Sequence, residues 1–212
     1  MRLLGAIVEE EATVADSAQE DELFAHLESV LGPIQVGWSV DPYGRTMPFQ
    51  VVQFARGTGS GDIAYATLGL SRHALRSRVS DRSMRQELLI LAPEGAGQGA
   101  IARLLFEVGT LALDSHEAFL RGDTISPRSR LSDGTALTEV YVTLPVYFPD
   151  SFATVRRSSG DVVIAWLVPV TEDEAAFVER RGWDAFEDLL VRQDPDLVDF
   201  ERSEVELGRP SS

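Results

Sequence analysis

The chain reads as one α+β domain, a mixed β-sheet flanked by helices, with an acidic tail at its C-terminal end. Three observations lead there. Its 212 residues suffice for a single sizeable core. A content of 44% hydrophobic and 25% charged residues is that of a globular protein rather than a disordered one. Short β-branched and aromatic runs bounded by Gly, Pro and Asp outnumber the helical stretches, the pattern of a sheet with helices inserted, covered on one side. The domain is expected over residues 1–195 and the polar, acidic tail over 196–212.

From Asp16 to Leu31, the residues Leu23, Phe24, Leu27, Val30 and Leu31 recur at helical spacing, and Gly32-Pro33 stops the helix. Three strand-like runs follow: Ile34 to Val40, Phe49 to Ala55 and Ile63 to Leu70. Asp41-Pro42-Tyr43-Gly44 and Gly57-Thr58-Gly59-Ser60-Gly61 are the turns between them. Glu87 to Leu91 predicts a further strand, and Ile101 to Leu113 a helix with Ile101, Leu104, Leu105, Val108, Leu111 and Ala112 on one face. After a loop, Leu137 to Leu144 and Val162 to Val168 carry the apolar, β-branched content of central strands. Thr171 with Glu174 is a capping box, so a helix starts at Glu172 and ends at Gly182. Asp184 and Glu187 repeat that spacing and predict a last helix to about Val191. Everything after Pro195 is polar and expected to be loosely held.

The chain has no cysteine, so disulfides and thiolate metal sites are excluded. All 19 basic residues are arginine, a bias that points to a GC-rich bacterial genome. Nothing approaches the ~18 consecutive apolar residues that span a bilayer. Met1 to Glu11 has a short apolar run that meets three glutamates and no small-residue cleavage site, so a cytoplasmic location is expected. The net charge of −15 repels nucleic acid and anionic membrane surfaces and favours encounter with a basic protein partner, although solubility alone also accounts for such a charge.

Several motifs carry potential chemistry. Gly95-Ala96-Gly97-Gln98-Gly99-Ala100 follows a strand and opens a helix, the pattern of a dinucleotide-binding loop. Pro93-Glu94 intervenes, however, and puts a carboxylate where phosphate charge would lie, while Asp114 falls at a helix end instead of a second strand tip. No Gly-x-Ser-x-Gly elbow exists, since Thr58 stands two before Ser60. His116, with Asp114, Glu117 and Asp123 close in sequence, has residue types able to hold a divalent metal, and a solvated helix end produces the same grouping more often. Arg72, Arg76, Arg78, Arg82 and Arg85 form a basic cluster without the interleaved aromatics that stack bases, which reads as a solvated loop. From Asp184 to Glu206 nine acids face only Arg192 and Arg202, the stretch in which to look for a basic partner. The sequence offers no coherent catalytic set, cofactor site or metal site.

In chain order stand Gly69-Leu70-Ser71, Glu87-Leu88-Leu89-Ile90, the turn Phe119-Leu120-Arg121-Gly122-Asp123-Thr124-Ile125-Ser126, the run Val140 to Phe148, the strand Val162 to Val170 and the capped helix up to Gly182. This order resembles the suppressor-of-fused (SUFU-like) domain family over roughly residues 25–200, most clearly from residue 69 on. The resemblance implies a SUFU-like domain that grips other proteins and performs no chemistry. In the eukaryotic branch of that family the domain clamps a peptide of Gli transcription factors as an added strand, and an Asp in the Phe-x-x-Gly-Asp turn takes part. Asp123 occupies that place here, which makes Gly122, Asp123 and Thr124 the candidate partner contacts. A tyrosine that the family uses a dozen residues upstream is replaced by Leu111, so the same peptide is not the expected ligand. Bacterial relatives resemble immunity proteins, which implies an antitoxin that neutralises a partner toxin of a polymorphic toxin system. The alternatives are a regulatory scaffold or chaperone holding a peptide of an endogenous protein, and a nucleotide-binding enzyme using Gly95 to Ala100. An Asp after Gly in a turn also commonly bonds backbone amides two residues on, and that reading of Asp123 stays open.

Overall fold

A computed structural model describes residues 21–59, 61–131, 134–157 and 160–208. The Met1 to Glu11 segment, the start of the first helix at Asp16, Ser60 and the last four tail residues lie outside them. Helix α1 covers residues 21–31. It is followed by β1 (Ile34–Val40), β2 (Thr46–Phe54), β3 (Asp62–Leu68), β4 (Leu75–Arg76), β5 (Ser83–Pro93) and α2 (Gln98–Ser115). Then come β6 (Thr124–Ile125), β7 (Glu139–Thr143), β8 (Thr154–Val155), β9 (Val162–Val170), α3 (Glu172–Arg181) and α4 (Trp183–Gln193).

The strands form one mixed sheet in the order β1-β2-β3-β5-β9-β7-β6, with β4 beside β5 and β8 beside β9. β5 and β9 pair in parallel, with Leu88 opposite Ala165, and the other pairings are antiparallel. These two central strands are apolar at consecutive positions because both of their faces are covered. Leu88, Ile90 and Leu167 pack with Ile101, Leu104 and Val108 of α2. Leu89, Leu91 and Trp166 face the opposite core, with Leu27 of α1, Val178 of α3 and Phe186 of α4. A sheet covered on one side only is therefore corrected to one covered on both. Continuous apolar strands are the sequence sign of that arrangement.

Three local expectations change. β2, β5, β9 and α2 run further than expected, while β3 ends at Leu68 instead of Leu70 and β7 covers only Glu139–Thr143 of Leu137 to Leu144. α4 starts at Trp183 on an N-terminal Gly182 without a side-chain cap, so Asp184 and Glu187 do not form a second capping box. Glu187 is recruited by the sheet instead, as described below.

The stretch after Pro195 is not loose over its described part. Leu197, Val198, Phe200 and Val205 are buried. Arg202 enters the interior and bonds both carboxylate oxygens of Glu174 at 2.8 Å and the Pro169 carbonyl at 3.1 Å. The Val205 amide donates to the same carboxylate at 2.9 Å. Glu174 is also the N3 residue of the capping box at the start of α3. One buried acid thus starts a helix and anchors the tail, and spacing in the sequence revealed only the first role.

Candidate functional site

The turn that carries Gly122, Asp123 and Thr124 is built before any ligand arrives. Its entry is clamped by Gln86 of β5, whose fully buried side chain accepts from the Phe119 amide at 2.8 Å and donates to the Phe119 carbonyl at 3.2 Å. The Asp123 amide donates to the Leu120 carbonyl at 3.0 Å, and the Asp123 carboxylate accepts from the Leu120 amide at 2.8 Å. This reciprocal pair closes a tight turn with the acid folded back over it. The Gly122 amide then bonds the Val142 carbonyl, and the Val142 amide bonds the Asp123 carbonyl, both at 2.9 Å, which hangs the turn on β7. Thr124 begins β6, the short outer strand of the sheet, opposite Tyr141. Its hydroxyl lies 3.4 Å from a carboxylate oxygen of Glu179 on α3.

Gly122 is required twice over. Its φ is +96°, a region L-residues avoid, and a Cβ there would sit 2.6–2.8 Å from Trp183. Trp183 is in turn stacked by Arg121, with the guanidinium carbon 4.2 Å from the ring centroid. The Arg121 guanidinium also forks onto Glu187 of α4. Glu187 accepts the Tyr141 hydroxyl at 2.8 Å and the Thr143 hydroxyl at 2.9 Å. Partial burial works against the Glu187 charge, yet the hydrogen bonds from Arg121, Tyr141 and Thr143 outweigh it and hold the carboxyl below its usual range. Burial, reinforced by the bond to Glu187, pushes the Tyr141 phenol far up. The cluster is a rigid support for the turn, and Tyr141 stays a neutral donor.

Asp123 also pairs with Arg78, which brings one member of the arginine cluster to the site. The cluster is therefore only partly a solvated loop. Arg76 pairs with Glu117, and Arg85 donates to the Ser71 and Arg72 carbonyls at 2.8 Å. Two further sequence fragments meet here. The fully buried Glu87 accepts from the Thr67 hydroxyl at 2.6 Å and from the amides of Gly69 and Ser71 at 2.9 and 3.0 Å. Burial raises its carboxyl against those hydrogen bonds. Gly69-Leu70-Ser71 and the strand beginning at Glu87 are one structural unit joined by that side chain.

The other candidate groups are engaged elsewhere. A ring nitrogen of His26 lies 3.1 Å from the Phe152 carbonyl, and its imidazole stacks on Phe152. His116 closes α2 in the left-handed region and contacts the Leu113 carbonyl. Among the described residues no three His, Asp or Glu side chains gather as a metal site, and no helix is long and apolar enough to cross a membrane. The Gly95 to Ala100 loop leads directly into α2, which starts at Gln98. The next strand in the chain is the outer β6 rather than a parallel neighbour of β5, so the two-strand crevice of a dinucleotide fold is not formed.

Comparison with known proteins places this architecture. The family described as Suppressor of fused protein (SUFU) matches residues 45–203. Immunity protein YqcF of Bacillus subtilis is 23% identical over 148 residues, 68% of this chain and 75% of its own length. The crystal structure of a SUFU homolog from Neisseria gonorrhoeae superposes with a TM-score of 0.70 at 16% identity, covering 91% of this chain and 98% of that one. A chain of the Sufu-Fu complex crystal structure gives 0.62 at 20% identity, with 85% of this chain and 84% of that one covered. Drosophila Suppressor of Fused gives 0.62 at 19% identity over 86% of this chain, which spans only 47% of that larger protein.

Proposed function

This chain belongs to the Suppressor of fused (SUFU) family, and on that premise we propose that it is a non-enzymatic protein-binding domain of the bacterial branch, an immunity protein that binds and neutralises a basic partner toxin in the cytoplasm. The observation that carries this reading is the alignment with an immunity protein over two thirds of the chain. The net charge of −15 supports it, because a field of that sign repels nucleic acid and accelerates association with a basic protein. The site supports it too. The groups that chemistry would need are tied down: Asp123 by Arg78 and the Leu120 amide, Glu187 by three donors.

We assign partner contact to Gly122, Asp123 and Thr124, where the outer β6 presents a short strand on a turn that is already rigid. A preformed turn of this kind binds without a large ordering cost. The test is affinity capture from the native lysate at low and moderate salt, with mass spectrometry of what is retained. One stoichiometric basic polypeptide, released as salt rises, is the expected result. Scattered abundant proteins at low occupancy favour a regulatory scaffold instead. Thermal stabilisation by NAD or ATP would revive the Gly95 to Ala100 loop as a nucleotide site.

A further inference from the structure

A second surface is built from elements other than the Asp123 turn. Between β7 and β8, the apolar loop Leu144-Pro145-Val146-Tyr147-Phe148 turns Leu144, Val146 and Tyr147 outward, with Val146 61% exposed, while Pro145 is buried. It does not collapse, because its neighbours are pinned from below. The Tyr147 ring packs on the buried Trp166 with centroids 4.9 Å apart, and Phe148 packs on Phe152 at 4.6 Å. The Val146 amide bonds the Leu144 carbonyl at 2.8 Å, and the Phe148 amide bonds that of Pro145 at 3.0 Å. An exposed apolar tip held in a fixed shape is a feature of docking surfaces.

Beside this tip opens a cleft of about 580 Å³, with Tyr147, Pro93 and Val198 among its walls and Asp194, Asp196 and Asp199 on its rim. Asp196 gives one oxygen to the Val198 amide at 3.0 Å, and Asp199 one to the Glu201 amide at 2.8 Å. Asp62, which also lines the cleft, is occupied by the Thr58 amide and hydroxyl at 2.8 Å. None of the three rim carboxylates is ion-paired among the described residues. The Leu197 amide lies 3.5 Å from the Tyr147 hydroxyl, which sets the ring against the 194–199 segment. Pro93 and Val198 would take an aliphatic stem, the Tyr147 ring would take a cation on its face, and the rim would neutralise it.

We infer that this loop and cleft dock a basic segment of the partner protein, with an arginine or lysine side chain entering between Tyr147 and the Asp194–Asp199 rim and an apolar neighbour resting on Val146. The inference rests on the reading that the partner is a basic protein, and it adds a second contact to the one at Asp123.

The probe is N-acetyl-arginine amide, titrated into the isotopically labelled full chain and followed by amide NMR, with the neutral isostere N-acetyl-citrulline amide as control. Saturable shifts confined to Tyr147 and residues 194–199, at least about tenfold weaker for the citrulline compound and lost in Asp194→Asn/Asp199→Asn, are expected. Asn is the replacement of choice because Asp194 has a φ of +45°, which Asn tolerates. Shifts that spread over the acidic surface without saturating, that match for citrulline, or that persist in the double variant would overturn the inference. So would calcium chloride moving the same resonances at lower concentration. With the partner in hand, the double variant and Val146→Asp should each weaken binding by about tenfold while melting like the parent chain. Full affinity in both variants would remove this cleft and leave the proposed function standing. An arginine-selective cleft in a protein that captures no basic partner would remove the proposed function and leave the cleft.

Discussion

Alanine at Gly122 should destabilise the chain through one identifiable contact. The added Cβ would lie 2.6 Å from Trp183 Cδ1 and 2.8 Å from its Cβ and Cγ, whereas carbon–carbon contact is comfortable near ~3.5 Å. The indole has little room to yield, since Arg121 stacks on it and is itself forked onto Glu187. Overpacking of this kind costs about 1–3 kcal/mol. The φ of +96° adds a conformational cost for any L-residue, about 1 kcal/mol or more. The sum is about 3 kcal/mol, which for a chain of this size lowers Tm by roughly 6–12 °C. Thermal unfolding of four proteins isolates the contact: parent, Gly122→Ala, Trp183→Ala and the double variant. The double variant should lose less than the two single losses combined, because truncation to alanine removes the Cγ and Cδ1 contacts and leaves the Cβ approach at 2.8 Å and the backbone strain. Additive losses, or an unchanged Tm for Gly122→Ala, would refute the assignment of Gly122 to the Trp183 approach.

Other consequences follow from the same contacts. The Glu187 carboxyl is held below its ordinary value of 4.5 in the folded chain, so its contribution to stability is present above that pH and is lost as pH falls through the lowered value. Urea titrations at descending pH should show this loss in the parent and a flatter profile in Glu187→Gln. Arg202→Ala leaves Glu174 buried without its cation, which should cost about 3–5 kcal/mol and raise hydrogen exchange over residues 196–208. Asp123→Ala breaks a partly exposed pair with Arg78, worth up to about 1 kcal/mol. Loss of the carboxylate's bond to the Leu120 amide adds to that, so Tm should fall by a few degrees while capture of the partner weakens, and equal capture by both proteins would clear Asp123 of a binding role. The association rate of that complex should fall steeply with salt, whereas a salt-insensitive rate would remove the steering role of the net charge.

Much of this architecture was legible in the sequence because local signals agreed with the tertiary outcome. Val162 to Val170 is apolar throughout and became a strand covered on both faces. Thr171 and Glu174 are spaced for a capping box and form one. Resemblance to the family's Phe-x-x-Gly-Asp turn located Gly122-Asp123, and the Asp123 carboxylate bonds the Leu120 amide three residues back instead of an amide two residues on. Long-range pairing was not legible. Arg78 meets Asp123 across 45 residues and Glu187 meets Arg121 across 66, and no periodicity encodes either. The tail misled for a related reason. Leu197, Val198, Phe200 and Val205 are too few and too irregular to read as an element, and what seats them is a charge pair between Arg202 and Glu174. Tyr147 likewise sat unremarked in the apolar run Val140 to Phe148, and only the packing of its ring on Trp166 shows how the loop after the strand is held.

The most direct measurement is growth of a host that produces the captured basic partner, with and without this protein beside it. Arrest by the partner alone, and recovery when the parent chain is co-produced but not when Asp123→Ala is, is the outcome expected of an immunity protein gripping through the 120–126 turn. A partner that is harmless on its own, or arrest that persists although the complex forms, would contradict neutralisation and leave a binding domain of another kind.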